Sequence, residues 1–458
     1  MAQIASRYSE PNSWLRSPFK KITPWALAEV ARVSLAFGNE HRRVEATEDD
    51  VLRCCAAHSA LNDPDLRTVT LDGFRKFMLR LANEQMPYQL PVGHELARSI
   101  ALFEQTTADH AMEILSGDWV QRLLNCSVAE YVGVAFLFYA GSLKNGGRFD
   151  LDWLSQDDFR RITDEVDSDT IARVAHDNFI TSPAEVRRNL PTPTASQHPE
   201  THRYLFNPLE ARPVLADVID ELLVPVPGLL IRKVSPLGLY YTAVERWGEP
   251  FTRDLGYLFE AYVGRNLALM DGATVYPAIT YDRDKKQSVD WLAVFRDVVV
   301  LVEVKSTRPT AAVRSGSDAA VTDLKKRLDK AVGQLSTTAG LIKRRESAFN
   351  DIPHDRPIVG LVVTMEPFHV INAQPYRQLL PSCTEPFRVC AAFELEHLVT
   401  IEDQTAGEFL LNLVNDEQQQ DSAIDTALAG HGHRFRRNSV IDTAFAQLPW
   451  NERGDLPT

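Results

Sequence analysis

The chain has 458 residues, 44% of them apolar, enough to build a large core in two or three domains. A net charge of −13 excludes a protein that binds nucleic acid indiscriminately over its whole surface. The five cysteines, Cys54, Cys55, Cys126, Cys383 and Cys390, are an odd number without a CxxC pair, which excludes a disulfide framework and a CxxC zinc site; reduced core residues are expected. The longest uncharged apolar stretch, Tyr131–Gly141, is too short to span a bilayer, and no secretory leader is visible. A soluble cytoplasmic protein without a membrane partner is therefore expected.

The first 188 residues read as a helical domain. Thr23-Pro24 opens one amphipathic helix, Thr47-Glu-Asp-Asp50 caps another, and Ser127-Val-Ala-Glu130 is a capping box before an apolar helix. Further helices are predicted at Thr70–Asn83, Leu96–Glu104, Ser155–Val166 and Thr170–Asn178. Residues 189–203, rich in proline and small polar side chains, read as a linker, and 204–250 as a connecting segment. A second domain is expected over 251–402, with a helical and polar tail over 403–458. In that tail His431-Gly-His-Arg-Phe-Arg-Arg437 reads as an exposed stretch.

Within the second domain Thr252–Met270 reads as a helix in which Gly256, Glu260 and Gly264 share a stripe at i, i+4 spacing. Each glycine costs about 1 kcal/mol relative to alanine inside a helix. Close packing around Glu260 is expected to offset that penalty. Val298–Val302 is apolar at five successive positions, as suits a strand buried on both faces, and Glu303 and Lys305 follow at once. Burial of an ionised group costs several kcal/mol unless it is paired or binds a metal, so these charges call for a function. If Ser288–Phe295 and Val298–Lys305 form a hairpin around Arg296-Asp297, residues whose numbers sum to 593 face each other. Asp290 then lies opposite Glu303, with Lys305 on the same face. Opposed Cβ atoms stand roughly 4.5–5.5 Å apart, and two carboxylates at that range repel unless a cation lies between them. Arg-Asp is not the Asn-Gly of a tight primed turn, which leaves a longer loop and a shifted register open. Downstream, Ser317–Arg345 reads as a long helix, with Ser317 as N-cap and Lys326, Lys330 and Gln334 in one stripe. Strands are expected again at Pro357–Met365 and Phe387–Leu395.

A helix with Glu, then strands with Asp and with Glu-x-Lys, then a helix with Gln: over residues 252–365 this order resembles the PD-(D/E)XK nuclease superfamily, the fold of restriction endonucleases. Val289 stands where the motif's name expects proline. The resemblance implies an α+β/α chain, its helical N-terminal domain followed by a restriction-endonuclease-like α/β domain with a mixed sheet flanked by helices. It implies a metal-dependent endonuclease that binds Mg²⁺ or Mn²⁺ through Asp290, Glu303, the Val304 carbonyl and Glu260. Lys305 would be the catalytic lysine, and Glu260 and Gln334 accessory catalytic residues. Such an ion polarises the scissile phosphate and activates water. Loss of turnover on the same fold would leave a nucleic-acid-binding or scaffolding protein.

Charge is distributed accordingly. Residues 283–345 hold 14 Lys/Arg and 7 Asp/Glu, a net of +7 that leaves −20 for the remainder. Lys285, Lys286, Arg308, Lys326 and Lys330 are therefore expected to contact phosphates of DNA, or of RNA, without reading sequence. Arg283, Arg314, Lys325 and Arg327 extend this set. Double-strand cutting by this fold implies a homodimer, and an acidic chain with one basic patch could also use a second protein subunit. Defence against foreign DNA is the biological role that the resemblance suggests.

Overall fold

Strands that are apolar at every position need cover on both faces, and this requirement organises the molecule. In the computed structural model, residues 1–7, 22–38, 46–68, 70–193, 198–419, 421–430 and 432–450 are described. The chain is mixed α/β. Its main sheet holds β1 (Thr274–Pro277), β2 (Trp291–Val294), β3 (Val299–Lys305), β4 (Ile358–Thr364) and β5 (Phe387–Ala391), in the spatial order β5-β4-β3-β2-β1. β3, β4 and β5 run parallel, while β2 and β1 are antiparallel to their neighbours.

Side chains of β3 alternate between two packed layers. Val300, Val302 and Val304 join a core that includes Leu255, Phe259 and Val263 of helix α1 (Glu249–Leu267). Val299 and Leu301 join a second core with Leu324, Leu328 and Leu335 of helix α2 (Ala320–Lys343), which makes the crossover between β3 and β4. Continuing the alternation puts Glu303 and Lys305 on the α2 face.

The hairpin register is the one expected. Trp291 pairs with Val302 and Leu292 with Leu301, both pairs summing to 593. The Phe295 N–H donates to the Val298 carbonyl at 2.9 Å, closing a two-residue loop of Arg296-Asp297. Neither loop residue has a positive φ, so the turn is not a primed one, yet the register does not shift.

The N-terminal helices follow their caps: Thr23 accepts from the Ala26 N–H, and capping boxes at Thr47/Asp50 and Ser127/Glu130 open Glu48–Ser59 and Val128–Lys144. Other expectations need correction. Ser155–Val166 is not one helix: it holds the 3₁₀ turn Asp157–Phe159 and the one-turn helix Arg160–Thr163. The first part is mostly helical, and Arg148–Phe149, Ile180–Thr181, Val214–Leu215 and Leu222–Leu223 form a small four-stranded sheet that ties 204–250 to it. Ser317 does not cap α2; Thr310 caps the short helix Ala311–Arg314, and α2 starts after Ala319. The strand expected over Phe387–Leu395 stops at Ala391, where helix Ala392–Leu398 begins with Glu394 accepting the Ala391 N–H.

The largest core draws on Leu96, Phe138, Phe259, Val302, Leu410 and Ile441, so it runs from N-terminal helices through the sheet to the C-terminal ones. Residues of the expected tail are docked: Asn438 donates to the Asn266 side chain at 3.0 Å, and Phe435 bridges to Ile401. His431 lies outside the described residues. Trp119–Lys144 does have the length and hydropathy of a membrane span, contrary to the estimate from Tyr131–Gly141, but 61% of its apolar window is buried inside the protein. It is interrupted between Leu124 and Val128, and its second half is a core helix. This is compatible with a soluble protein. All five cysteines are free; Cys54 is exposed, not a core residue.

Candidate active site

The hairpin brings Asp290 and Glu303 to the end of the sheet. At Val289 the chain leaves β3: its N–H donates instead to the Thr338 hydroxyl on α2, at 3.1 Å. The Asp290 carboxylate then takes the vacated position and accepts the Val304 N–H at 2.6 Å. Because the N–H and C=O of one strand residue share a side, the Val304 carbonyl faces the same edge.

Glu303 is fully buried, and its Oε1 forms a close ion pair with Lys305, which is 24% exposed. Its Oε2 is buried and has no hydrogen-bond partner among the described residues. Burial pushes the Glu303 carboxyl up to about 7, Asp290's negative charge adds to the rise, and Lys305 opposes it. Burial likewise raises Asp290, against the Val304 N–H and the charges of Lys305 and Lys330. The half-buried Glu260 on α1 is pushed up to about 7, first by burial and then by Asp290. On α2, Gln334 presents a buried Oε1 that also lacks a partner among the described residues.

Glu260 is held by the packing expected of its stripe on one side only. A Cβ at Gly264 would lie 2.3 Å from the Trp291 ring, whereas at Gly256 nothing comes nearer than the Ser306 hydroxyl at 3.8 Å. The Trp291 indole donates to the Glu260 carbonyl at 3.2 Å, locking α1 to β2.

Sequence reasoning missed Thr338 and Trp291. Thr338 continues the stripe of Lys326, Lys330 and Gln334 by one more step of four, and Trp291 follows Asp290 directly. Both were within reach of the spacing argument.

Of the expected phosphate contacts, Lys330 is exposed and its charge reaches both Asp290 and Glu303. Lys326 is exposed one turn earlier on the same helix. Lys285 and Lys286 are exposed at a separate hairpin, where Lys286 pairs with Asp282 at 3.1 Å. Arg308 is half-buried: its guanidinium lies over the Tyr240 ring, 3.7 Å from the centroid, and its Nε is buried, so packing holds it in place.

Among the described residues no three His, Cys, Asp or Glu side chains stand close enough together to hold a metal, so Glu260 does not complete a three-acid ligand set. Asp290 and Glu303 remain. Two neighbouring carboxylates, a main-chain carbonyl and an unpartnered buried Glu303 oxygen suit Mg²⁺, which binds through one or two carboxylates and keeps several waters. No protein-family model, curated protein or solved structure is found to match this chain.

Proposed function

We propose that the chain is a metal-dependent nuclease that hydrolyses phosphodiester bonds of DNA, with residues 251–402 forming a restriction-endonuclease-like domain. The observation that carries this reading is Asp290, one residue before β2, anchored on the Val304 N–H beside the buried Glu303, which pairs with Lys305. Asp290, Glu303 and the Val304 carbonyl would hold Mg²⁺ or Mn²⁺, which when bound supplies Lewis-acid polarisation of the phosphate and a more acidic water. Asp290 fixes the end of β3 through the Val304 N–H. Lys305 orients the attacking water and offsets the negative charge that grows on the phosphate. Gln334 positions that water through its buried carbonyl oxygen, and Glu260 acts at longer range as a proton acceptor. Lys330 and Lys326 draw the phosphate backbone to the site from α2.

Cytoplasmic defence against foreign DNA, as a homodimer or with a second protein subunit, fits a nuclease whose net charge is negative apart from one basic region. The competing reading is a nuclease-fold protein that binds nucleic acid or scaffolds a complex without turnover. Supercoiled plasmid incubated with the protein and Mg²⁺ or Mn²⁺ separates the two. Cleavage that Asp290→Ala and Lys305→Ala both abolish supports the nuclease, and binding without cleavage supports the competitor. Cleavage that survives in both variants refutes the site. A single-stranded RNA run in parallel reports whether the sugar matters.

A further inference from the structure

A cleft of about 710 Å³ lies between the connecting segment 204–250 and the N-terminal helices; it shares no lining residue with Asp290, Glu303 or Lys305, and of the expected phosphate contacts it takes Arg314. Its volume is that of a small-molecule site. Four cations line it: Arg212, Arg232, Lys233 and Arg314. Two of them are satisfied within the protein. Arg212 donates to the carbonyls of His176, Asp177 and Ile180, and Arg232 pairs with Glu210 at 3.4 Å. Lys233 and Arg314 are different: neither makes a contact ion pair among the described residues, although the charge of Arg314 reaches Glu366.

Lys233 is only 8% exposed, and one hydrogen bond, to the Thr242 hydroxyl at 2.9 Å, serves its ammonium. An ammonium has three donors, and burying it without a counter-charge is unfavourable. Burial accordingly lowers Lys233 to about 8. The exposed Glu245 acts on it without touching it, so the ammonium lacks a contacting anion. Ser235 and Thr242, also on the wall, add hydroxyls, while Leu237, Val244 and the half-buried Tyr241 add apolar and aromatic surface. An inorganic anion would satisfy the cations and leave most of this volume unfilled.

We propose that the cleft binds a small phosphate-bearing ligand of the nucleotide class, its phosphates against Lys233 and Arg314 and its apolar body against Leu237 and Tyr241. The site stands apart from hydrolysis at Asp290 and Glu303 and does not require it. It does touch the segment that leaves the catalytic strand. Arg314 lies on the helix Ala311–Arg314 between β3 and α2, with its guanidinium 5.6 Å from the Tyr241 ring centroid. Occupancy would therefore bear on the segment that carries α2.

Isothermal titration of the full chain with ATP, GTP, adenosine, inorganic phosphate and a short DNA oligonucleotide tests this directly. At least one nucleotide is expected to bind, and Lys233→Met and Arg314→Gln are each expected to weaken it by about tenfold or more, the scale of a charged hydrogen bond. Lys233→Met keeps the aliphatic stem and removes a buried charge, so it should fold; the surface-facing Glu245→Gln, which removes an acid from the same wall, is expected to tighten binding. No nucleotide binding by the wild-type chain overturns the proposal. So does equal binding by adenosine and ATP, binding by phosphate alone or by the oligonucleotide in preference to a mononucleotide, or nucleotide binding that both Lys233→Met and Arg314→Gln leave intact. Titration with Asp290→Ala distinguishes this site from the proposed nuclease centre, because its nucleotide affinity should match the wild type.

Discussion

Replacing Glu303 by Gln should make the metal-depleted protein more stable at pH 8 and leave it little changed at pH 5. The reason lies in how the carboxyl is buried. Glu303 is fully buried, one of its oxygens lacks a hydrogen bond, and Asp290 faces it, so its carboxyl is raised from 4.5 to about 7. A group with a folded pKa above its unfolded value contributes stability that is fully present below the unfolded pKa and is lost as pH rises through the folded one. The window here runs from about 4.5 to about 7. A displacement of that size corresponds to roughly 3 kcal/mol at pH 8, shared with Asp290 and Glu260 because the three acids act on one another.

Gln keeps the shape and cannot ionise, so the decline should vanish. Urea denaturation in EDTA at pH 5, 6, 7 and 8 measures this, and a parallel series with excess Mg²⁺ measures the counterpart. Mg²⁺ should restore wild-type stability at pH 8, where the carboxylates are ionised, and do nothing for Glu303→Gln. Identical pH profiles for the two proteins, or equal stabilisation of both by Mg²⁺, would refute the reasoning that an unbalanced acid pair defines the site.

The parts of the fold that were legible in the sequence are those fixed by local period. β3 announced itself as five apolar residues in succession, and the register of Trp291 with Val302, next to Asp290 and Glu303, followed from counting outward from Arg296-Asp297. Caps at Thr23, Thr47 and Ser127 were readable because a hydroxyl three residues before an N–H acts within one turn. What failed depends on distant partners. Ser317 and Thr310 look alike to the capping rule, but only Thr310 caps, and the chain around Ser317 is held by contacts from the N-terminal helix Leu71–Gln85: Arg80 donates to the Gly316 carbonyl at 3.0 Å and Lys76 pairs with Asp318 at 2.6 Å. A Cβ at Gly316 would meet the Lys76 carbonyl at 2.4 Å, and its φ is +53°. Arg308 looked like any loop cation, since nothing local shows that Tyr240, 68 positions earlier, lies under it. Two-residue strands such as Ile180–Thr181 are too short to carry a period of two.

Three more substitutions test separate links. Lys330→Ala should weaken DNA binding at every sequence alike and lower the slope of log affinity against log salt by about one, as loss of one phosphate contact requires; filter binding over a salt series would show it, and an unchanged slope places Lys330 off the DNA path. Gly264→Ala should destabilise by about 1–3 kcal/mol in urea despite alanine's better helix propensity, because the Trp291 ring is fixed by its bond to the Glu260 carbonyl and cannot retreat. Arg80→Met removes the guanidinium from a buried cluster in which its Nε donates to Asp63 at 2.9 Å and its NH1 to Gly316, leaving Asp63, 4% exposed, without its counter-charge. Breaking such a pair from one side costs about 3–5 kcal/mol, and adding Asp63→Asn should recover part of it by removing the stranded charge. Hydrogen exchange of amides 311–318 should quicken in Arg80→Met at the same time, since Arg80 joins the N-terminal helix to the segment that follows β3. Global destabilisation with unchanged protection of those amides would mean that the segment is held by its own turns and not by the N-terminal helix.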